Sequence, residues 1–113
     1  ESNRYFMDRF KKKILENMGN ADMKMDDLGA EMQLSKVQLY RKVKAMTGKT
    51  PVELLKEMRL QRAYTLLMQT DKTVAEVSAE VGFALPGYFS SCFKKQYGVL
   101  PTDFRNEQLS KRK

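Results

Sequence analysis

Leu28-Gly29-Ala30-Glu31-Met32-Gln33-Leu34 decides how the chain is read, because the pattern occurs twice. At an offset of 49 stands Val77-Ser78-Ala79-Glu80-Val81-Gly82-Phe83, with apolar, small and acidic residues in the same order. Downstream the offset becomes 50: Leu39 answers to Phe89, Val43 to Phe93, Lys44 to Lys94, Gly48 to Gly98 and Pro51 to Pro101. One extra residue therefore sits in the second turn. Each unit reads as a short helix, a tight turn, a longer helix and then Gly-x-x-Pro, which is the helix-turn-helix pattern. The small pairs Gly29-Ala30 and Ser78-Ala79 suit helices that cross closely. The plainer alternative is a helical bundle with a duplicated hairpin.

Between the units runs Thr50-Pro51-Val52-Glu53. Thr50 suits a helix cap, Pro51 the first helical position, and Glu53 completes a capping box. Leu54, Leu55, Met58, Leu60, Ala63, Leu66 and Leu67 then recur at steps of three and four, predicting one apolar face over 50–68. About 17 residues give roughly 26 Å at about 1.5 Å per residue.

The remaining elements are also helical. Met7, Phe10, Ile14 and Met18 make residues 4–18 an amphipathic helix stopped near Gly19. Asp26 is expected to cap the helix holding Leu28 and Met32. Ser35 with Gln38, and Thr73 with Glu76, form two further capping boxes. Leu39, Val43 and Met46 fall on the inner side of one helix; Val37, Tyr40, Arg41 and Lys44 fall away from it. Val74, Val77 and Val81 make an inner stripe, as do Phe89, Cys92 and Phe93 after Pro86. Pro101 and Asp103 open a short last helix with Phe104, followed by a frayed tail at 110–113. No segment alternates as a strand would, so the expected fold class is all-α, with about seven helices.

The chain has 113 residues and a net charge of +7. Such a balance points to an anionic partner, nucleic acid before membrane. Residues 35–49 hold Lys36, Arg41, Lys42, Lys44 and Lys49 and no acid. With no histidine and one cysteine, the usual zinc sites and Ser/His or Cys/His pairs are missing, so an enzyme is not expected. The single cysteine fits a reducing cytoplasm. No apolar run reaches the ~18 residues of a membrane span, and no signal-peptide pattern opens the chain. It begins at Glu1, as a piece cut from a longer protein would.

Val74-Ala75-Glu76-Val77 through Gly82-Phe83, Tyr88-Phe89-Ser90, Phe93-Lys94-Lys95, Gly98-x-x-Pro101 and Phe104-Arg105 resemble the second helix-turn-helix of the AraC/XylS family. Ser35, Leu39-Tyr40-Arg41-Lys42, Thr47-Gly48-x-x-Pro51 and Arg59-Leu60-x-x-Ala63-x-x-Leu66-Leu67 resemble the rest, so the likeness covers about residues 24–105. The run 39–48 is especially similar to the output domains of hybrid two-component regulators. The resemblance implies transcription regulation by sequence-specific binding of double-stranded DNA, with recognition helices 35–47 and 86–97 in successive major grooves about 34 Å apart.

Carried over by position, the candidate base contacts are Val37, Gln38, Tyr40 and Arg41 in the first unit, and Pro86, Gly87, Tyr88 and Ser91 in the second. Arg41 stands out, since a guanidinium can grip a guanine edge with two hydrogen bonds; a phosphate contact is its alternative. Lys36, Lys44, Lys49, Lys94 and Lys95 are candidate phosphate contacts, which set affinity and register. Many relatives have Asp or Asn at Leu85 and Arg at Ser91, so weaker base reading is expected of the second unit. Leu100 likewise stands where a Thr cap precedes Pro101 in the family.

The expected organisation is an N-terminal helix (1–20), a first helix-turn-helix (21–49), a linker helix (50–68), a second helix-turn-helix with a short final helix (69–105) and a basic tail (106–113). No cofactor or metal is expected. Partners are double-stranded DNA and, as a further candidate, RNA polymerase. The isolated domain is expected to be monomeric, with dimerisation left to a longer parent. The competing classes are a protein-interaction module and a non-specific nucleic-acid binder.

Overall fold

A computed structural model describes residues 3–23 and 25–112, without the side chain of Asp26. Among them are seven helices and no strand: α1 (Asn3–Asn17), α2 (Met25–Glu31), α3 (Lys36–Thr47), α4 (Pro51–Gln69), α5 (Val74–Glu80), α6 (Pro86–Tyr97) and α7 (Pro101–Lys111). The chain divides into two compact units, residues 1–57 and 58–113, and the boundary falls inside α4.

The first unit closes over Phe10, Ile14, Leu28, Leu39 and Val43, all but removed from solvent. Phe6 is buried as well, whereas Met7, the residue expected in this stripe, is only half-buried. The stripe runs at steps of four, through Phe6, Phe10 and Ile14. Phe6 stacks on Phe10 at 6.1 Å between ring centroids and carries the Lys42 ammonium 4.4 Å from its own centroid. α2 starts at Met25, one residue ahead of the cap expected at Asp26, whose side chain lies outside the described part.

The second unit is built on aromatic rings. Phe93 lies 4.8 Å from Tyr97 and 5.9 Å from both Phe89 and Phe104, centroid to centroid. Val77, Val81, Leu60, Ala63 and Leu67 complete the core.

The repeat survives down to single hydrogen bonds. Leu34 N–H donates to Gly29 O at 2.8 Å and Gln33 N–H to Ala30 O at 3.0 Å; Phe83 N–H donates to Ser78 O at 2.9 Å and Gly82 N–H to Ala79 O at 3.1 Å. This is the same Schellman ending, with a left-handed residue after each helix. The first helix of each unit keeps the offset of 49 and the second that of 50, so the extra residue is Ala84. A Cβ on Gly29 would stand 3.1 Å from Leu34 O and 3.5 Å from Leu39 Cδ2, which explains the small residue there. Ser78 fills the equivalent place, fully buried, and its hydroxyl donates to Phe83 O at 3.4 Å. Ala30 and Ala79, expected at the crossing too, are exposed, because the next residue on a helix points about 100° away.

The left-handed residue is Gly82 (φ 94°) in one unit and Gln33 (φ 61°) in the other. A side chain strains this conformation. Gln33→Gly should therefore stabilise the first unit by about 0.5–1 kcal/mol, the relief of strain slightly exceeding the added unfolded-state entropy. Urea denaturation reads this directly, and a destabilised variant would contradict it.

Thr50 and Thr73 cap as expected. Thr50 N–H donates to Glu53 at 2.9 Å and Thr73 N–H to Glu76 at 2.8 Å, while each threonine hydroxyl accepts from the glutamate's own N–H. The donated threonine N–H holds both carboxyls below the ordinary glutamate pKa. A pKa lowered on folding means stability that is fully present above the unfolded glutamate value and lost as pH falls through the folded one. Glu53→Gln and Glu76→Gln keep the hydrogen bond without the charge. Their stability relative to the parent should be lowest at neutral pH and recover in acid; a constant difference would remove the carboxylates as the cause.

The α4 residues do not make the single face expected of them. Leu54 and Leu55 are buried in the first unit, while Leu60, Ala63, Leu66 and Leu67 are buried in the second. At about 100° per residue, Leu55 and Leu60 lie about 140° apart on the helix. α7 continues through Lys111, past the end expected of the short helix at residue 105 and into the tail expected to fray at 110–113, of which Lys113 lies outside the described residues. Arg105 Nε donates to Leu67 O at 2.8 Å, and the Arg112 guanidinium reaches Met68 O and pairs with Asp71 at 3.5 Å. Both arginines occupy carbonyls that the last turn of α4 leaves unpaired, where positive charge is favoured.

Candidate nucleic-acid interface

Ser35 caps α3 with a full capping box: its hydroxyl accepts from Gln38 N–H at 3.1 Å, and its own N–H donates to Gln38 Oε1 at 2.8 Å. Gln38 is thus partly committed, its oxygen held by Ser35 N–H while its amide N–H groups remain for a ligand. Leu39 and Val43 fix the inner face. Val37, Arg41 and Lys44 follow at i, i+4 and i+7 along the outer face, all exposed. Among the described residues, none bonds or ion-pairs with the Arg41 guanidinium. Tyr40 and Lys36 stand on the flank. They line a mostly apolar hollow of about 280 Å³ with Met25, Leu39, Thr50, Pro51 and Val52.

The cations of residues 35–49 separate into two groups. Lys42 is turned inward over Phe6. Lys49, a candidate phosphate contact, is ion-paired with Glu57 on α4. Arg41 and Lys44 remain on the exposed outer strip of a helix that itself holds no acid, with Lys36 exposed on its flank. The pattern of charges alone did not separate these groups, because Phe6 lies on another helix and Glu57, on α4, meets Lys49 only through the turn that joins α3 to α4.

α6 presents a different surface. Leu85 occupies the cap position without a side-chain hydrogen bond, and Pro86 opens the helix. Pro86, Gly87, Tyr88 and Ser91 are all exposed, followed on the same side by Lys94 and Lys95. The Ser91 hydroxyl donates to Gly87 O at 3.2 Å. A hydrogen bond with Cys92 holds the Tyr88 phenol above the usual tyrosine range. Cys92 itself is buried between Phe89 and Phe93. Leu100, like Leu85, provides no cap bond, as expected from its side chain. Among the described residues no group of acidic or cysteine side chains could hold a metal ion, and no helix is long and apolar enough to cross a membrane.

Comparison with known proteins assigns this arrangement. A family model described as a helix-turn-helix domain matches residues 28–107. Histidine kinase P4 of Formosa agariphila is 38% identical over 95 residues, covering 83% of this chain and 7% of the kinase. The transcriptional activator RhaS of Mannheimia succiniciproducens is 33% identical over 91 residues, covering 80% of this chain and 34% of RhaS. The chain thus spans about a third or less of these relatives' length. Among solved structures, the C-terminal domain of the two-component response regulator YesN from Fusobacterium nucleatum superposes with a TM-score of 0.82 at 27% identity, covering 92% of this chain and 99% of that one. The DNA-binding domain of the transcriptional factor AdpA, solved with a target DNA, gives a TM-score of 0.85 at 26% identity, covering 91% and 92%. With two matching helix-turn-helix units, residues 28–107 under one family model and relatives of this kind, the chain belongs to the AraC-type helix-turn-helix family.

Proposed function

We propose that the chain binds double-stranded DNA sequence-specifically, as the output domain of a bacterial transcription regulator, with α3 and α6 entering major grooves. The exposed strip of Val37, Arg41 and Lys44, on a second helix of a helix-turn-helix unit that itself holds no acid, carries this reading. A recognition helix needs that surface: cations for phosphate and a forked donor for a base edge. In this reading Arg41 reads a guanine, Val37 and Tyr40 offer apolar contact, and Lys36 and Lys44 hold phosphates. Lys94 and Lys95 do the same for the second unit. Pairing with Glu57 makes Lys49 the weakest member of the phosphate set. A two-component setting is supported by the likeness to a histidine kinase and to a response regulator's C-terminal domain. The sensing parts would then lie elsewhere in the regulator, and the domain would act in the cytoplasm by binding, without catalysis.

Selection from randomised duplexes tests the proposal. Enrichment of a two-part motif, with halves about one helical turn apart, is the expected result. Binding without enrichment would leave a non-specific nucleic-acid binder. Absence of binding would favour a protein-interaction module, with RNA polymerase as the first partner to try.

Lys44→Ala should weaken binding equally on all sequences and flatten the slope of log affinity against log salt by about one unit, because one phosphate neutralisation is lost. Titration at several salt concentrations measures this; an unchanged slope removes Lys44 from the phosphate contacts.

A further inference from the structure

α3 and α6 correspond residue by residue at the offset of 50, yet their exposed N-terminal surfaces differ in kind. Lys36, Val37, Gln38 and Arg41 are answered by Pro86, Gly87, Tyr88 and Ser91. Two cations and an amide have given way to a ring that lacks a donor, a bare backbone, a phenol and a hydroxyl. The hydroxyl proton of Ser91 is engaged with Gly87 O at 3.2 Å. What faces solvent at this end is chiefly hydrocarbon: Leu85 is 68% exposed and Tyr88 56%. A Cβ on Gly87 would meet nothing within 4 Å, so the surface between them is open to an approaching ligand.

A single exposed leucine needs no explanation. Here the apolar end shares its side of α6 with Lys94 and Lys95, one to two turns on. The lysines suit a polyanion, while the tip offers neither the guanidinium nor the side-chain amide that grips a guanine or adenine edge with two hydrogen bonds. The apolar feature on base edges in the major groove is the thymine 5-methyl group. Resting on the DNA-binding reading above, we infer that the second unit reads thymine by methyl contact, through Leu85 and Tyr88, where the first unit reads by hydrogen bonds.

The test begins from the two-part duplex enriched by selection. The half that concerns α6 is the one that does not contain the base position relaxed by Arg41→Ala. Each thymine there is replaced in turn by deoxyuridine, which removes the methyl and keeps every hydrogen-bonding group. Affinity should fall about three- to five-fold at one or two positions, the worth of one buried methyl. Leu85→Ala or Tyr88→Ala should erase the difference at its own position. Both side chains are exposed, and circular dichroism of each variant verifies that the fold is kept. A second half without thymine, silent deoxyuridine substitutions, or losses that persist in both variants would overturn the inference while leaving DNA reading by the chain intact. Failure to enrich any duplex would overturn both.

Discussion

Arg41→Ala should relax the preference at one base position of the selected site by about 1–3 kcal/mol, leaving the other positions as they were. The expectation comes from geometry. Leu39 and Val43 lock the inner face of α3, and the Ser35–Gln38 capping box fixes its first turn. Arg41 is therefore held one turn into the helix, on the outer face, with no described residue competing for its five donors. A planar fork there can satisfy two acceptors of a guanine at once, which a point charge cannot. Arg41→Lys should accordingly retain most of the affinity for unrelated duplexes and lose the preference. Competition binding against every single-base variant of the site is the measurement. Equal weakening on all of them would assign the guanidinium to a phosphate.

The largest effect on stability is expected from Phe93→Ala, at about 3–5 kcal/mol. Phe93 is fully buried, and three aromatic rings lie within 5.9 Å of its centroid. Removing it opens a cavity that rings, being stiff, fill poorly, and forfeits aromatic pairing as well. A domain of this kind is stable by only about 5–15 kcal/mol, so the second unit would be close to unfolding. The equivalent residue of the first unit is Val43, also fully buried; Val43→Ala should cost less because it removes fewer atoms. Urea melts of the two variants give the comparison. A loss below about 1 kcal/mol for Phe93→Ala would mean that the cluster repacks around the gap.

Most helices were legible because their signals are local. Capping boxes at Ser35, Thr50 and Thr73, prolines at first helical positions and glycines at φ near 77–79° after α3 and α6 all act within a few residues. The errors cluster where partners are remote in sequence. Phe6 displaced Met7 from the core, α4 divided its apolar residues between two units, and α7 ran on because Arg105 and Arg112 found the last carbonyls of α4. At the candidate interface, the stripe of Val37, Arg41 and Lys44 followed from helical period alone. Which cations gain a partner did not: Lys42 lies over Phe6 and Lys49 pairs with Glu57.

The sequence by itself determined that this is a duplicated helix-turn-helix protein with a basic second helix in its first unit. Period, caps and turn residues are written locally, and the repeat makes them mutually consistent. Only the tertiary structure decided which side chains remain for a ligand, because burial and ion pairing depend on residues that folding brings together. It left a cationic strip on α3 and an apolar tip on α6. Two units with one backbone plan therefore carry different surface chemistry.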